Sequence, residues 1–394
     1  MKRRDFLRTS GAFSGSLLTT GLLTGCVPRQ ANAPLNRLYA APDISSPGNA
    51  CGLPPVHVDE SREIRTVVGL RPYRPSGFVV KAEKIGDTLV IHNYGHGGGG
   101  ITLSWGTSKL AVDLGAPGHS GAVAVLGSGA VGLATARLLQ EAGFAVTVYT
   151  KALPPQTTSN IAGGQWFPFF VSDPAKRTAA FDAQFLAAAQ YAYTRYQILL
   201  GAKFGVRWMR NYSLSDTPFS DTGITGRQGV LREMLPELRD LSPKEYTFPE
   251  RKFVRQYDTL LIEPPIYLAA MLDEFHLAGG KIRIGEIADR NAIAALEEKL
   301  VFNCTGLGSR ALFDDQELIP VKGQLTFLLP QPEVQYAALH DGNYMFPRTD
   351  GILLGGTHEE NVWSLDVNEA AKRDILASHK AFFSGFRQCK PEAS

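Results

Sequence analysis

The sharpest apolar pattern lies in the middle of the chain. Residues 122–126 form an unbroken apolar run, followed at once by Gly127-Ser128-Gly129-Ala130-Val131-Gly132. Residues 133–141 then repeat apolar positions at helical spacing. Gly143 stops that helix, and residues 145–149 form a second apolar run. Strand, glycine turn, helix and strand in this order predict the βαβ unit of a dinucleotide-binding sheet. Gly127 permits the tight turn, Gly129 lets backbone amides approach a pyrophosphate, and Gly132 lets helix and strand pack closely. The helix N-terminus adds N–H donors and partial positive charge. Elsewhere, residues 181–200 predict a long helix whose aromatic residues serve packing. Residues 258–278 predict a strand and then a helix after Pro264-Pro265, and residues 281–287 another strand. Cys304 closes the apolar run from Leu300 and is expected to be a buried thiol.

Composition narrows the classes. The chain has 394 residues, 44% hydrophobic and 20% charged. That is too apolar for disorder and too long for one small core, so two domains or one two-part unit are expected. The net charge is +2. The cluster Lys2, Arg3, Arg4 and Arg8 against Asp5 accounts for all of it and leaves the remainder near −1. No basic footprint for nucleic acid is present. Four cysteines, Cys26, Cys51, Cys304 and Cys389, are too few for a disulfide scaffold and lack zinc spacing, so no metal site is expected.

The first residues predict an address. Arg3-Arg4 precede Phe6-Leu7 and an apolar stretch over 11–25 that is too short and too rich in Gly, Ser and Thr to span a membrane. This is the layout of a twin-arginine export signal. Leu23-Thr24-Gly25-Cys26 resembles a lipoprotein cleavage box, with Cys26 as a lipid anchor. An ordinary cleaved signal is the alternative. The expected location is periplasmic or membrane-anchored. Residues 1–26 are read as the signal and residues 27–55, rich in Pro, Asn, Ala and Ser, as a flexible tether.

Several further segments resemble one family. Leu89–Gly106, with the run His92-Asn93-Tyr94-Gly95-His96-Gly97-Gly98, is similar to the signature of D-amino-acid oxidases, FAD enzymes with a glutathione-reductase-like fold. Thr157-Thr158-Ser159 through Gly163-Gly164-Gln165-Trp166 resembles their flavin-cradling stretch. Gly69-Leu70-Arg71-Pro72 resembles the stretch bearing their substrate-carboxylate arginine. Residues 302–306 and 344–357 also match. The resemblance runs from about residue 62 onward, but in a different order. In the family the dinucleotide fingerprint comes first; here the Arg71 and His92 segments precede it. The resemblance therefore implies a circular permutation joined through residues 114–121. That order implies in turn that Cys51 and Cys389 meet across one loop and form a disulfide, with two unpaired cysteines on frayed tails as the alternative.

The resemblance implies an α/β fold: a Rossmann-like FAD-binding domain over 86–185 plus 271–312, and a β-rich substrate domain over 56–85, 186–270 and 313–385. The β layer is expected from residues 64–84, 207–260 and 321–357. FAD would be held by Gly127, Ser128, Gly129, Ala130, Val131 and Gly132, by Thr157, Thr158, Ser159, Gly163, Gly164 and Gln165, by Ile287, and by Gly97, Gly98, Gly99, Gly100, Ile101 and Thr102. The last group forms a side-chain-free bend leading into a helix near Ile101, suited to a flat ring. Arg71 would grip the substrate carboxylate, with Arg74 as the local competitor and Tyr344 in support. His92 and His96 are expected to be structural.

Three departures from the family pattern stand out. The strand ending Tyr149-Thr150-Lys151 lacks the acid that usually holds the adenosine ribose; Thr150 is a partial substitute, and Lys151 leaves a phosphate-bearing cofactor open. His340 stands where the family has a lid tyrosine. Arg348 is expected to be solvated in a hairpin turn. The reaction so implied is oxidative deamination of a D-amino acid by hydride transfer from Cα to flavin N5, giving a 2-oxo acid, ammonia and, from oxygen, hydrogen peroxide. A related glycine or amine oxidase, a dehydrogenase, and a non-catalytic FAD- or amino-acid-binding lipoprotein are the alternatives.

Overall fold

Two sheets organise the molecule, and each follows from the pattern of its strands. A computed structural model describes residues 52–386 except 225, 247, 249 and 250. The export segment, the Cys26 anchor, most of the tether and the Cys51–Cys389 pairing lie outside the described residues.

The first sheet carries strands that are apolar on both faces. β3 (Thr88–Tyr94), β10 (Leu300–Asn303), β4 (Val123–Leu126), β5 (Val146–Thr150) and β9 (Lys281–Ile284) run parallel in that spatial order. β2 (Val79–Ile85) adds an antiparallel edge on β3. β4 and β10 are buried throughout, as central parallel strands covered on both faces require. Helices α1 (Gly100–Gly115) and α2 (Ala130–Glu141) pack on each other, α3 (Ala179–Ile198) packs on α1, and α4 (Pro264–Leu277) packs on α2. Two short helices, α5 (Arg290–Ala294) and α6 (Gly308–Leu312), follow β9 and β10. The arrangement is Rossmann-like.

The second sheet is antiparallel for most of its width. Its order is β1 (Glu63–Tyr73), β11 (Ile319–Leu328), β14 (Gly351–Gly355), β13 (Asn343–Arg348), β12 (Tyr336–His340), β6 (Val206–Ser215), β8 (Phe253–Ile262) and β7 (Arg239–Leu241), with β15 (Glu359–Glu360) on β11. One face packs under the C-terminal helix α7 (Glu369–Ser384) through Tyr212, Tyr336, Met345, Leu354, Leu376 and Phe382. Alternation with period two sends Leu325, Phe327, Leu353 and Phe346 to the opposite face, toward the first sheet.

Several domain expectations need correction. Residues 79–85 pair with β3, so they belong to the FAD-type sheet and not to the substrate layer. The boundaries at 185/186 and 270/271 fall inside α3 and α4, both of which pack with the Rossmann-like helices. α4 begins on Pro264, not after Pro265; proline is at home in a first helical turn, where an N–H has no partner to lose. The strand expected over 281–287 ends at Ile284. The tether does not remain free to residue 55. Tyr336 Oη donates to Pro54 O at 2.8 Å, and Leu53 and Val56 join the apolar cluster under α7.

Candidate functional site

A single cleft of about 1150 Å³ runs between the two sheets. Its nucleotide end is built where β4 turns into α2. Gly127 adopts φ +100°, and a Cβ on Gly132 would overlap the Gly127 carbonyl oxygen. Glycine is therefore required at both positions, one for the turn and one for close packing. Ser159 Oγ accepts from Ala130 N at 3.0 Å, tying the 157–161 segment to the start of α2.

At the end of β5, Ser128 and Thr150 both donate their hydroxyl hydrogens to Ala152 O, at 2.6 and 2.8 Å. Their lone pairs remain available to accept, which is what a ribose hydroxyl needs. Lys151 also lines this end. So does Glu286, a residue the sequence reading missed. β9 lies beside β5, and Gly285 N donates to Thr150 O at 2.9 Å. A carboxylate, absent from the end of β5, thus stands at the neighbouring strand end. The signal was present in Gly285-Glu286-Ile287, but only the sheet order shows which strand end it joins.

The middle of the cleft is walled by the glycine bend and the 163–170 segment. Gly97 adopts φ +55°, and Gly98 N donates to Phe170 O at 2.9 Å. A Cβ on Gly97 would overlap that same oxygen. Thr102 Oγ1 donates to Gln165 O and Phe167 O, each at 3.2 Å. Gln165 Nε2 donates in turn to Asn211 Oδ1. Gly100, Ile101 and Thr102 turn the start of α1 to the cleft, and that start has no side-chain cap. Its amides and the positive end of its dipole therefore face the cleft.

His92 and His96 are structural. His92 Nδ1 accepts from Asn303 at 3.1 Å and its Nε2 donates to Glu83 at 2.9 Å; burial holds its pKa below the usual histidine value. His96 bonds Thr107 at 2.8 Å, and burial lowers its pKa to about 3. Cys304 is a buried free thiol whose pKa burial raises to about 12, which keeps it protonated and unreactive.

The far end carries Arg71 and Tyr344. Arg71 on β1 lies over Gly323 of β11, and Tyr344 on β13 lies over Gly355 of β14. The two intervening strands thus give up side chains so that both groups lie flat on the sheet. Arg71 Nη1 donates to Thr357 O at 3.3 Å and has no carboxylate partner among the described residues. Arg74, the competitor, is committed: it bonds Asp315 at 2.8 Å and Glu317 at 2.7 Å. Of the two arginines, Arg71 is the one left without a carboxylate partner among the described residues.

Every expected site residue lines this one cleft except Gly99 and Gly132. Both of those are packing positions; Gly99 lies against Val171. Ile287 lines the cleft from a loop. One neighbour needs correction, and a second, left open in the sequence, is placed. Arg348 is buried rather than solvated. It pairs with Asp350, donates to Ala162 O at 3.0 Å and stacks on Phe327. His340 does not take the lid position with its ring. β12 alternation turns it under α7, where it stacks on Phe382 and bonds His379 at 3.2 Å.

Comparisons with known proteins agree with this geometry. A family model described as FAD dependent oxidoreductase (DAO) matches residues 122–393. A D-amino acid oxidase of Dugesia ryukyuensis is 27% identical over 68% of this chain and 79% of its own length. A D-amino-acid oxidase of Streptomyces coelicolor is 31% identical over 66% of this chain and 76% of its own. A human D-aspartate oxidase is 27% identical over 65% and 74%. Among solved structures, a glycine oxidase from Geobacillus kaustophilus shares the fold at a TM-score of 0.51, 18% identity, and coverage of 66% of this chain and 77% of that one.

The cleft fits the cofactor this match names. Its volume exceeds the ~300–1,000 Å³ of ordinary ligand pockets, as FAD and a substrate together require. It presents a glycine nucleotide turn at one end, a glycine bend in the middle and uncapped helix amides between them. The match spans well over half the chain, which belongs to the DAO family of FAD-dependent oxidoreductases, whose cofactor is FAD.

Proposed function

We propose that the chain oxidises D-amino acids to 2-oxo acids, with release of ammonia and formation of hydrogen peroxide from oxygen. The observation that carries this reading is Arg71. It is a cleft-lining guanidinium with no carboxylate partner among the described residues, laid flat on a glycine floor opposite Tyr344. A planar fork of this kind matches a carboxylate at two points and fixes its plane. The Tyr344 hydroxyl supplies a further donor. With the carboxylate anchored, the Cα–H direction is set, and orientation supplies a large part of the rate. The positive charge of Arg71 disfavours an ammonium nearby, so the substrate amine is held in its neutral form. The amides and dipole at the start of α1 favour negative charge developing in the middle of the cleft. FAD, when bound, supplies the acceptor for the Cα hydride and the route of its electrons to oxygen. The oxidised substrate, an imino acid, hydrolyses to the 2-oxo acid and ammonia.

The relatives' names support the substrate class, and the glycine oxidases support only the fold. Purified FAD-loaded protein given D-amino acids in air should release peroxide and 2-oxo acid in equal amounts. Flavin reduction without peroxide would assign it to a dehydrogenase. Turnover of glycine and amines alone would assign it to the neighbouring oxidases.

The permuted order belongs to the same reading. The family match begins at residue 122, while β3 and α1 precede it in the chain and close the far side of the sheet. Leu53, Val56 and Phe386 pack in one cluster, and Lys380 Nζ bonds Asp59 at 3.3 Å, so the two described ends lie together. That proximity supports both the permutation and a Cys51–Cys389 bridge. Export through residues 1–26 and lipidation of Cys26 rest on the motif and are tested by fractionating expressing cells and by mass measurement of the mature N-terminus.

A further inference from the structure

Asn211 is an unexpected residue for its place. It is buried in the middle of β6, on the face that also carries Met209 and packs toward the first sheet. Ala337 of β12 and Tyr257 of β8 stand beside it in register. Strand interiors disfavour asparagine, and a buried amide in such surroundings is kept only where its hydrogen bonds are met.

Those bonds give Asn211 a direction. Its Nδ2 donates to Met209 O at 2.9 Å. That bond decides which end of the amide points which way, and it turns Oδ1 to Gln165, whose Nε2 donates to it. The Gln165 amide is thereby oriented in turn. Its own acceptor, Oε1, is left for the cleft that Gln165 lines, and no group among the described residues donates to that oxygen.

Gln165 also stands at a particular point of the cleft. Two residues before it, a Cβ on Gly163 would meet the Tyr344 ring at 3.5 Å. On its other side, the Gln165 carbonyl accepts from Thr102 in the first turn of α1. The oriented amide therefore lies between the tyrosine at the substrate end and the helix start that favours negative charge.

We propose that Asn211 is a positioning residue: it orients the Gln165 amide so that an acceptor oxygen meets the N–H that flavin gains on reduction, and so favours the reduced cofactor. This rests on the amino-acid oxidation reading above. When the Cα–H bond breaks, its electron pair and hydrogen pass together to flavin N5. N5 changes from a hydrogen-bond acceptor to a donor. An acceptor already held in place stabilises that product, whereas a turned amide presenting its NH₂ group stabilises the oxidised ring.

Reductive titration of the FAD-loaded protein against a reference dye reads the midpoint potential without any substrate. Asn211→Leu, close in shape, releases the Gln165 amide. It should shift the flavin equilibrium toward the oxidised form by about threefold or more, ~14 mV for a two-electron couple. Asn211→Ala serves in its place should the leucine variant fail to load flavin. Gln165→Leu should produce a shift at least as large. With Gln165→Leu already present, adding Asn211→Leu should shift the equilibrium by less than about threefold further, because the two residues act as one unit. A potential held within about threefold of the parent in either single variant overturns the proposal. So does a further threefold shift in the double variant, since Asn211 would then act by another route. The expected shifts in a protein whose flavin no D-amino acid reduces would support the Asn211 assignment and overturn the substrate reading instead.

Discussion

Arg71 lies over Gly323, and its guanidinium occupies the space that a Cβ at Gly323 would fill. In register Arg71 pairs with Val321 and Gly323 with Gly69, so the guanidinium reaches diagonally over Gly323, and the smallness of one sets the position of the other. Gly323→Ala should therefore displace Arg71 and raise KM for D-amino acids about tenfold, the loss of roughly one well-aligned charged hydrogen bond. Flavin absorbance should not change. An unchanged KM would show that Arg71 does not need this floor.

Removing the guanidinium itself should cost more. Arg71→Ala is expected to raise KM by roughly 10- to 100-fold, from about 1.5–3 kcal/mol of charge-assisted bonding, while FAD affinity stays as it was. Steady-state kinetics and a flavin titration read the two effects separately. Loss of flavin from this variant would move Arg71 from the substrate end to the cofactor.

The nucleotide end was legible from order alone, because glycine spacing between an apolar strand and a helical run leaves few alternatives. Arg71 was legible only as one of two arginines; the pairing of Arg74 with Asp315 and Glu317 comes from chain segments far away in sequence. The features that were misread or left open all depend on register or neighbours. The direction of the His340 ring follows from which face β12 turns under α7. The burial of Arg348 follows from Asp350 and Phe327. Residues 79–85 have an amphipathic strand pattern that fits either sheet, and only pairing with β3 decides.

Glu286 is the candidate substitute for the missing ribose acid. Glu286→Gln should weaken FAD binding to the apoprotein several-fold, about 1 kcal/mol for one hydrogen bond at a half-open site. The value of kcat at saturating FAD should be preserved. Fluorescence titration of apoprotein with FAD measures it; equal affinity would leave the ribose to the Ser128 and Thr150 hydroxyls.

Two buried histidines make stability fall in acid. Burial lowers the pKa of His96 to about 3, and burial together with His340 does the same for His379. In the unfolded chain both return to about 6.5. The unfolded state therefore binds the extra protons, so stability is complete above about pH 6.5 and declines as pH drops from there toward 3. At its steepest the decline is about 2.7 kcal/mol per pH unit for two protons. Denaturant midpoints between pH 7.5 and 4.5 read this directly. His96→Gln, which keeps a partner for Thr107, should reduce the slope by up to one proton's share, about 1.4 kcal/mol per pH unit; a midpoint independent of pH would contradict the neutral buried state.

The proximity of the described ends gives the covalent expectation its test. Non-reducing peptide mapping of exported protein should recover a Cys51–Cys389 cross-linked peptide, and Cys304 should remain a free thiol. Recovery of both tail cysteines as thiols would leave the ends held by noncovalent contacts, the Leu53–Val56–Phe386 cluster and the Lys380–Asp59 pair among them.

The central claim is that the cleft brings a D-amino acid held by Arg71 against bound FAD. Anaerobic addition of D-amino acids to the purified yellow protein measures this most directly. The visible flavin band should bleach with D-enantiomers, remain with their L-counterparts, and return on admission of air. A band that no D-amino acid bleaches, in protein that retains its flavin, would contradict the account.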